Sequence, residues 1–326
     1  MPSNNNTSKI RYWNIKNIEW RKYIVYIAFV IVFLFFAITL HDQGFTSISN
    51  ILNITRQTAM ISIMAVAMTF VIGAAQIDLS VGSITALTSL VTALILANNG
   101  GIIMAVLGGL ATGAIIGAIN GFFITKINIP AFLVTLGTMG ITRGLAMWIT
   151  DTAAVPISNN TYNFIFGLGD IYGFPILFIW TLVILIIGHF VLNYTPFGKY
   201  TLATGGKEEA AKYTGVNTQK IKFMVMLFSG IMASFAGLLY AGRMQAGRYS
   251  YGEGDELSVI AAVILGGTSL SGGTGSVIGS VFGSLMMGMI NNGLIIAGLS
   301  VSQQMIVRGV IIILAVALGS KTNTKN

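Results

Sequence analysis

Of the 326 residues, 54% are hydrophobic and only 9% charged, and the mean hydropathy is +0.80. A water-soluble domain carries roughly 25% charged residues, so this composition excludes a chain whose whole surface faces water. The net charge of +8 does not mark a nucleic-acid binder, because the 18 Lys and Arg are spread over short segments without a basic domain or aromatic platform.

Residues 1–22 are polar and hold Lys9, Arg11, Lys16, Arg21 and Lys22. The apolar run 23–40 is long enough to span a bilayer, which takes about 20 residues. No small-residue cleavage motif follows it, so it reads as an uncleaved first helix rather than a signal peptide. Further apolar segments lie at about 51–75, 82–97, 102–125, 130–150, 174–193, 222–241, 257–269, 275–297 and 301–319. The expected fold is therefore an all-α polytopic membrane protein of about ten transmembrane helices, with 23–319 as a single transmembrane domain. The 257–269 segment is short and reads as a half-helix or re-entrant piece, which is tolerated at membrane depth only where protein or water surrounds it.

Alternating sides across ten spans puts all eleven Lys on one side: 9, 16, 22, 126, 199, 207, 212, 220, 222, 321 and 325. Positive-inside bias makes that side the cytoplasm. Both termini, the 1–22 segment and the 320–326 tail are then cytoplasmic. So is the 194–221 loop, while 151–173 lies outside.

An internal repeat is visible. Asp78-Leu79-Ser80-Val81 recurs in type as Glu256-Leu257-Ser258-Val259, Asn120-Gly121 as Asn292-Gly293, and Arg143-Gly144 as Arg308-Gly309, all in the same order. The acids follow spans two and seven, five crossings apart, so the two halves are expected to have inverted topology, with spans 2–5 matching spans 7–10.

Several polar residues at membrane depth are candidates for the translocation pathway. Asp78 reads two ways, as a pathway residue or, with Ser80, as a cap on the following helix. Asn291, Asn292, Gln303 and Gln304 offer neutral donors and acceptors suited to an uncharged polar solute, or equally to interhelical hydrogen bonds, and Thr135 is a further pathway candidate. Arg143 and Arg308 either meet a solute hydroxyl or snorkel and pair with an acid. His41 and His189, the only histidines, have no convergent ligand set, and with no Cys present neither a metal site nor a Cys nucleophile is supported. The run Gly266-Gly267-Thr268-Ser269-Leu270-Ser271-Gly272-Gly273-Thr274-Gly275 lacks the Lys of a phosphate-binding loop. The chain is thus not expected to hydrolyse nucleotide.

The 194–221 loop is the most informative segment. Glu209 to Tyr213 suits a short helix, with Gly205-Gly206 before it, acids at its N-terminal end and Gly215 placed to end it in the left-handed conformation. Glu209-Ala210-Ala211 followed by three residues and Gly215 resembles the E-A-A-x-x-x-G loop of ABC-transporter permeases. Where that family continues with I-x-L-P, this chain reads Val225-Met226-Leu227-Phe228, without the Pro. Ile77-Asp78-Leu79-Ser80-Val81-Gly82-Ser83 resembles the G-I-D-L-S-V-G-S signature of ribose- and xylose-type monosaccharide permeases, with Gln76 in place of the Gly. Ile129-Pro130-Ala131-Phe132-Leu133-Val134-Thr135-Leu136-Gly137-Thr138-Met139, Ala261 to Gly273, and Asn291-Asn292-Gly293-Leu294 extend the likeness over about residues 45–319.

The resemblance implies the permease subunit of an ATP-driven monosaccharide importer in a bacterial plasma membrane. It implies a separate ABC ATPase subunit, an extracytoplasmic sugar-binding protein and a second permease copy, identical or related. It implies no cofactor on this chain, with ATP and Mg held by the ATPase. Glu208, Glu209, Ala210, Ala211 and Gly215 are then the ATPase-coupling residues. A secondary transporter driven by an ion gradient is the alternative; it shares inverted repeats and an intramembrane acid but needs no coupling loop.

Overall fold

A computed structural model describes residues 20–321. Most of the 1–22 segment and of the 320–326 tail lies outside the described residues. In chain order the elements are α1 (Trp20–Thr39), α2 (Ile48–Gly73), α3 (Val81–Ala97), α4 (Gly101–Thr125), α5 (Ala131–Trp148), β1 (Val155–Pro156), α6 (Asn160–Asn163), β2 (Asp170–Ile171), β3 (Phe174–Pro175), α7 (Ile176–Tyr194), α8 (Pro196–Gly206), α9 (Glu208–Tyr213), α10 (Thr218–Met244), β4 (Ala246–Gly247), α11 (Asp255–Leu265), α12 (Val277–Ile296) and α13 (Val301–Lys321).

Each of the ten apolar segments contains a helix. Six of them (α2, α4, α5, α7, α10 and α12) are long and apolar enough to cross a membrane, while α1, α3 and α13 contain shorter apolar stretches. The 257–269 segment is helical over Asp255–Leu265, because Gly266 ends the helix and Gly267 turns the chain at φ +89°. Its 11 residues reach about 16 Å, roughly half of a 30 Å hydrocarbon core, which matches the half-helix reading. Helix starts are fixed locally: Ser47, Thr195, Asn217 and Ser276 each accept a backbone N–H of the following helix, and Pro196 opens α8.

α2 and α10 pack against each other and form the centre. α4 lies along α10 with α3 against both; α12 lies along α2 with α11 against both. α5 then packs on α3 and α4, and α13 on α11 and α12. The α2 stretch from Thr58 to Gly73 is buried almost all round. The outward faces of α4 and α5 instead expose Ile103, Met104, Leu107, Ile115, Phe132, Leu133 and Ile141. A continuous apolar face of that kind belongs against lipid or another chain. At the end of α5, Trp148 is 79% exposed, as an interfacial anchor would be.

Glycine sets the tightest seams. Gly109, Gly113, Gly117 and Gly121 recur every fourth residue on α4 and face α10. A Cβ on Gly113 would stand 2.1 Å from the Gly230 carbonyl oxygen, so the two backbones touch, as small-residue packing in membranes allows. Hydroxyls cross-link the other seams: Ser62 and Ser284 lie 2.6 Å apart, Thr69 donates to Ser280 at 2.7 Å, and Thr85 donates to the Ala233 carbonyl at 3.0 Å. Gly113→Val is therefore expected to part α4 from α10 and lower accumulation in the membrane several-fold on a quantitative immunoblot. Gly137→Val, which meets open space, should leave the amount unchanged.

The 151–173 segment closes over one end of the bundle. β1 pairs antiparallel with β4, Val155 opposite Gly247, and β2 forms a small hairpin with β3. Tyr162 is fully buried there and its hydroxyl donates to the Leu238 carbonyl at 2.8 Å.

Candidate functional site

At the opposite end, α8 and α9 form a compact module on the start of α10. Glu208 opens α9, and its carboxylate accepts from Lys222 Nζ at 2.6 Å, Thr218 Oγ1 at 3.0 Å and Lys212 Nζ at 3.1 Å. Thr218 and Lys222 belong to α10, so Glu208 pins α9 to that helix. Partial burial alone would raise the Glu208 carboxyl. The ammoniums of Lys222 and Lys212, with the Thr218 hydroxyl, outweigh it and hold the group at about 2, against an ordinary 4.5. Stabilisation from a depressed carboxyl is complete above the unfolded value and is lost as the pH falls through the folded one. The pin is thus intact from alkaline pH down to about 4.5 and fails between there and about 2. Its removal by Glu208→Gln, worth about 1 kcal/mol for a partly exposed pair, should speed trypsin cleavage after Lys212 at pH 8.

The far end of α9 is closed by Gly215 at φ +87°. Gly215 N–H donates to the Lys212 carbonyl and Val216 N–H to the Ala211 carbonyl, both at 3.0 Å. This is a Schellman closure, the left-handed stop expected from the sequence. Gly215→Ala adds a Cβ in that conformation, which should cost about 1 kcal/mol and show as faster amide exchange in α9. Between its two fixed ends, α9 buries Ala211 and exposes Glu209, Ala210 and Lys212. Tyr213 is 92% exposed. The result is a short knob held rigidly and presented outward.

α8 ties this module to the rest of the bundle. A Cβ on Gly205 would stand 2.0 Å from the Gly73 carbonyl at the end of α2. That same carbonyl accepts the Gly273 N–H at 3.0 Å. The Gly-rich 266–275 run is thus a close-packing seat for α8 on α2.

The second set of residues is a buried hydrogen-bonded chain. Asp78 and Ser80 are fully buried. Asp78 Oδ1 accepts the Ser80 N–H at 2.9 Å and the Ser80 hydroxyl at 2.6 Å, and Oδ2 accepts the Ser229 hydroxyl at 2.7 Å. Asn120 Nδ2 donates to Ser80 Oγ at 3.0 Å, and Thr138 Oγ1 donates to Asn120 Oδ1 at 2.7 Å. The chain joins the α2–α3 turn to α10, α4 and α5. Thr135, also fully buried, donates to the Ala131 carbonyl at 2.9 Å. Ser229, Asn120 and Thr138 had no place among the sequence candidates for this site. Asn120 carried a signal in the internal repeat and Thr138 one in the family-like segment 129–139; Ser229 lies 151 residues from its partner and carried none.

The remaining candidates lie elsewhere. Asn292 is buried in a reciprocal amide pair with Asn50, 3.0 Å in each direction, across α2 and α12. Asn291 and Gln304 line a small cleft between α12 and α13, where Arg308 donates to Asn291 Oδ1 at 3.4 Å. Arg143 donates to the Tyr249 and Tyr251 carbonyls, clamping the loop that leads into α11.

Residues 50–316 match the family described as "Branched-chain amino acid transport system / permease component". Among curated proteins, the chain is 40% identical to the ribose import permease protein RbsC of Escherichia coli (strain K12), over 86% of this chain and 88% of that one. It is 38% identical to the Bacillus subtilis (strain 168) protein of the same name, over 87% and 88%. It is 36% identical to the L-arabinose transport system permease protein AraH of Escherichia coli (strain K12), over 91% and 90%. No solved structure matches the chain. A multi-pass helical membrane protein with this similarity along most of its length belongs to the transport-system permease component family.

Proposed function

We propose that this chain is the permease subunit of an ATP-binding-cassette importer that moves ribose or a similar monosaccharide across a bacterial inner membrane. The observation that carries the reading is the 40% identity to a ribose import permease over 86% of the chain. The family description names branched-chain amino acids, but relatives at 36–40% identity include permeases named for ribose and L-arabinose. The exposed, doubly anchored α9 supports coupling to a separate ATPase through Glu209 and Ala210, with Glu208, Ala211 and Gly215 holding the knob. An extracytoplasmic sugar-binding protein and a second permease copy complete the assembly, with ATP and Mg on the ATPase.

The α8–α9 end is assigned to the cytoplasm, together with both termini, because the Lys residues segregate there. Under that topology α2 and α10 run in opposite directions. Exchanging α2 with α10, α3 with α11, α4 with α12 and α5 with α13 maps the packed helix pairs onto themselves. That correspondence supports two inverted halves in a ten-span permease. The Asp78 chain is taken to hold the closed arrangement together with Thr135 and the Asn292 pair. Asn291 and Gln304, which are partly accessible, are taken to line the pathway.

The test is to purify the assembled complex and measure which sugar-loaded binding protein stimulates ATP hydrolysis. Stimulation by a ribose- or arabinose-loaded protein is expected. Uptake by this chain alone in liposomes, driven only by an ion gradient, would overturn the reading in favour of a secondary transporter.

A further inference from the structure

Coupling and pathway residues leave one cavity unexplained. It has a volume of about 390 Å³ and lies at the α9 end, between the turn after α2, the α4–α5 connection and the first turns of α10. That size falls in the range of small-molecule sites, roughly 300–1,000 Å³. Its polar wall is Gln76, Asn128, Gln219 and Lys222, and its apolar wall includes Ile77 and Phe132.

Two observations define the ligand. Gln219 Oε1 is buried without a hydrogen-bond partner. Leaving a buried acceptor unpaired is unfavourable, and a donated hydroxyl would relieve it. Lys222 is the cation on this wall, and its ammonium is already bound to Glu208 at 2.6 Å. An anion entering the cavity would have to compete with the Glu208 carboxylate for that ammonium. The other polar groups are carboxamides: Asn128 offers donors and an acceptor, while Gln76, whose amide nitrogen donates to the Ala74 and Ala75 carbonyls, keeps its oxygen to accept from a ligand hydroxyl. Ile77 and Phe132 supply apolar surface for its C–H faces.

We propose that this cavity is a weak binding site for a neutral, polyhydroxylated solute at the inner mouth of the permease, directly beside the Lys222–Glu208 anchor of α9. The choice of ligand and the inner placement rest on the sugar-import reading and its topology. The site puts the imported solute in contact with the residue that fixes the coupling helix, so its occupancy and the seating of α9 share one side chain.

The chain has no Cys, so a single introduced thiol is unique. Gln219→Cys and Gln76→Cys are made separately in the full chain within its assembled complex. Their rates of maleimide labelling are compared with and without millimolar D-ribose, L-arabinose, myo-inositol or inorganic phosphate. A thiol placed outside the cavity, by Tyr172→Cys at a 98% exposed position, reports any general effect of the additives. The expected result is several-fold slower labelling of at least one cavity thiol by at least one polyol, no slowing by phosphate, and no change at position 172. Failure of all three polyols at both cavity positions overturns the proposal, as does phosphate protection equal to or stronger than theirs. Polyol protection in a complex that imports no sugar would sink the import reading and leave the site. Sugar import without protection would sink the site alone.

Discussion

Asp78→Leu is expected to eliminate the permease from the membrane, whereas Asp78→Asn leaves it there and working. The Asp78 carboxylate takes the Ser80 N–H, the Ser80 hydroxyl and the Ser229 hydroxyl, and all three residues are fully buried. Leucine has similar bulk but no acceptor. It strands the Ser80 N–H and the Ser229 hydroxyl in a region with no water to replace the lost partner, at a cost of roughly 3 kcal/mol or more. The damage spreads, because Ser80 also receives Asn120, which receives Thr138. The turn after α2, α4, α5 and α10 would lose their common tie. Asparagine keeps one oxygen for Ser80, and its amide can donate to Ser229, whose oxygen is able to accept. Immunoblotting of membranes with an uptake assay separates the roles. Normal abundance and uptake for Asp78→Asn assigns the residue to clamping. Normal abundance with abolished uptake would give the carboxylate a part in translocation itself.

Much of this arrangement was legible in the sequence, for reasons that differ by element. The membrane class followed from scarce charge, and the ten apolar segments became ten helices because a run of that length has no other way to satisfy its backbone in lipid. α9 was legible because its determinants are local: acids at the start, Lys212 near the end and a glycine stop. The anchor was not. Glu208 is held by Thr218 and Lys222, 10 and 14 residues away, beyond the reach of any helical period. Asp78 was visible as an acid at membrane depth, but its two readings could be weighed only once Ser229 was seen to donate to it and Asn120 to its neighbour Ser80. Asn292 was legible as a polar residue in an apolar run and as a member of the internal repeat, but its pairing was not. Its partner Asn50 lies 242 residues away, and no local pattern connects them. The Gly-rich 266–275 run showed in the sequence only that it holds no Lys, and its seat under α8 depends on Gly73 and Gly205 arriving from other parts of the chain.

Ala210→Trp is expected to uncouple transport without unfolding the permease. Ala210 lies on the exposed face of α9 and Ala211 on the buried one, 5% exposed, so the same substitution at neighbouring positions tests different things. At Ala211, tryptophan has no room and should lower abundance. At Ala210 it projects from a helix whose ends are fixed by Glu208 and Gly215, and it leaves those anchors intact. The added bulk would keep α9 out of a fitted cleft on the ATPase. A drop in ATP-driven uptake on the order of tenfold corresponds to only about 1.4 kcal/mol of docking energy, a modest demand for a bulky ring in a fitted contact. Charge reversal by Glu209→Lys acts on the same face through electrostatics rather than shape. Its defect should be milder and should depend on salt, because screening weakens exposed charge interactions. The measurements are membrane abundance, initial uptake of sugar delivered by its binding protein, and the stimulation of ATP hydrolysis by that loaded protein. Ala210→Trp at normal abundance, with uptake and stimulation both intact, would remove α9 from the coupling path. Loss of both at normal abundance would place the ATPase contact on the face formed by Glu209 and Ala210.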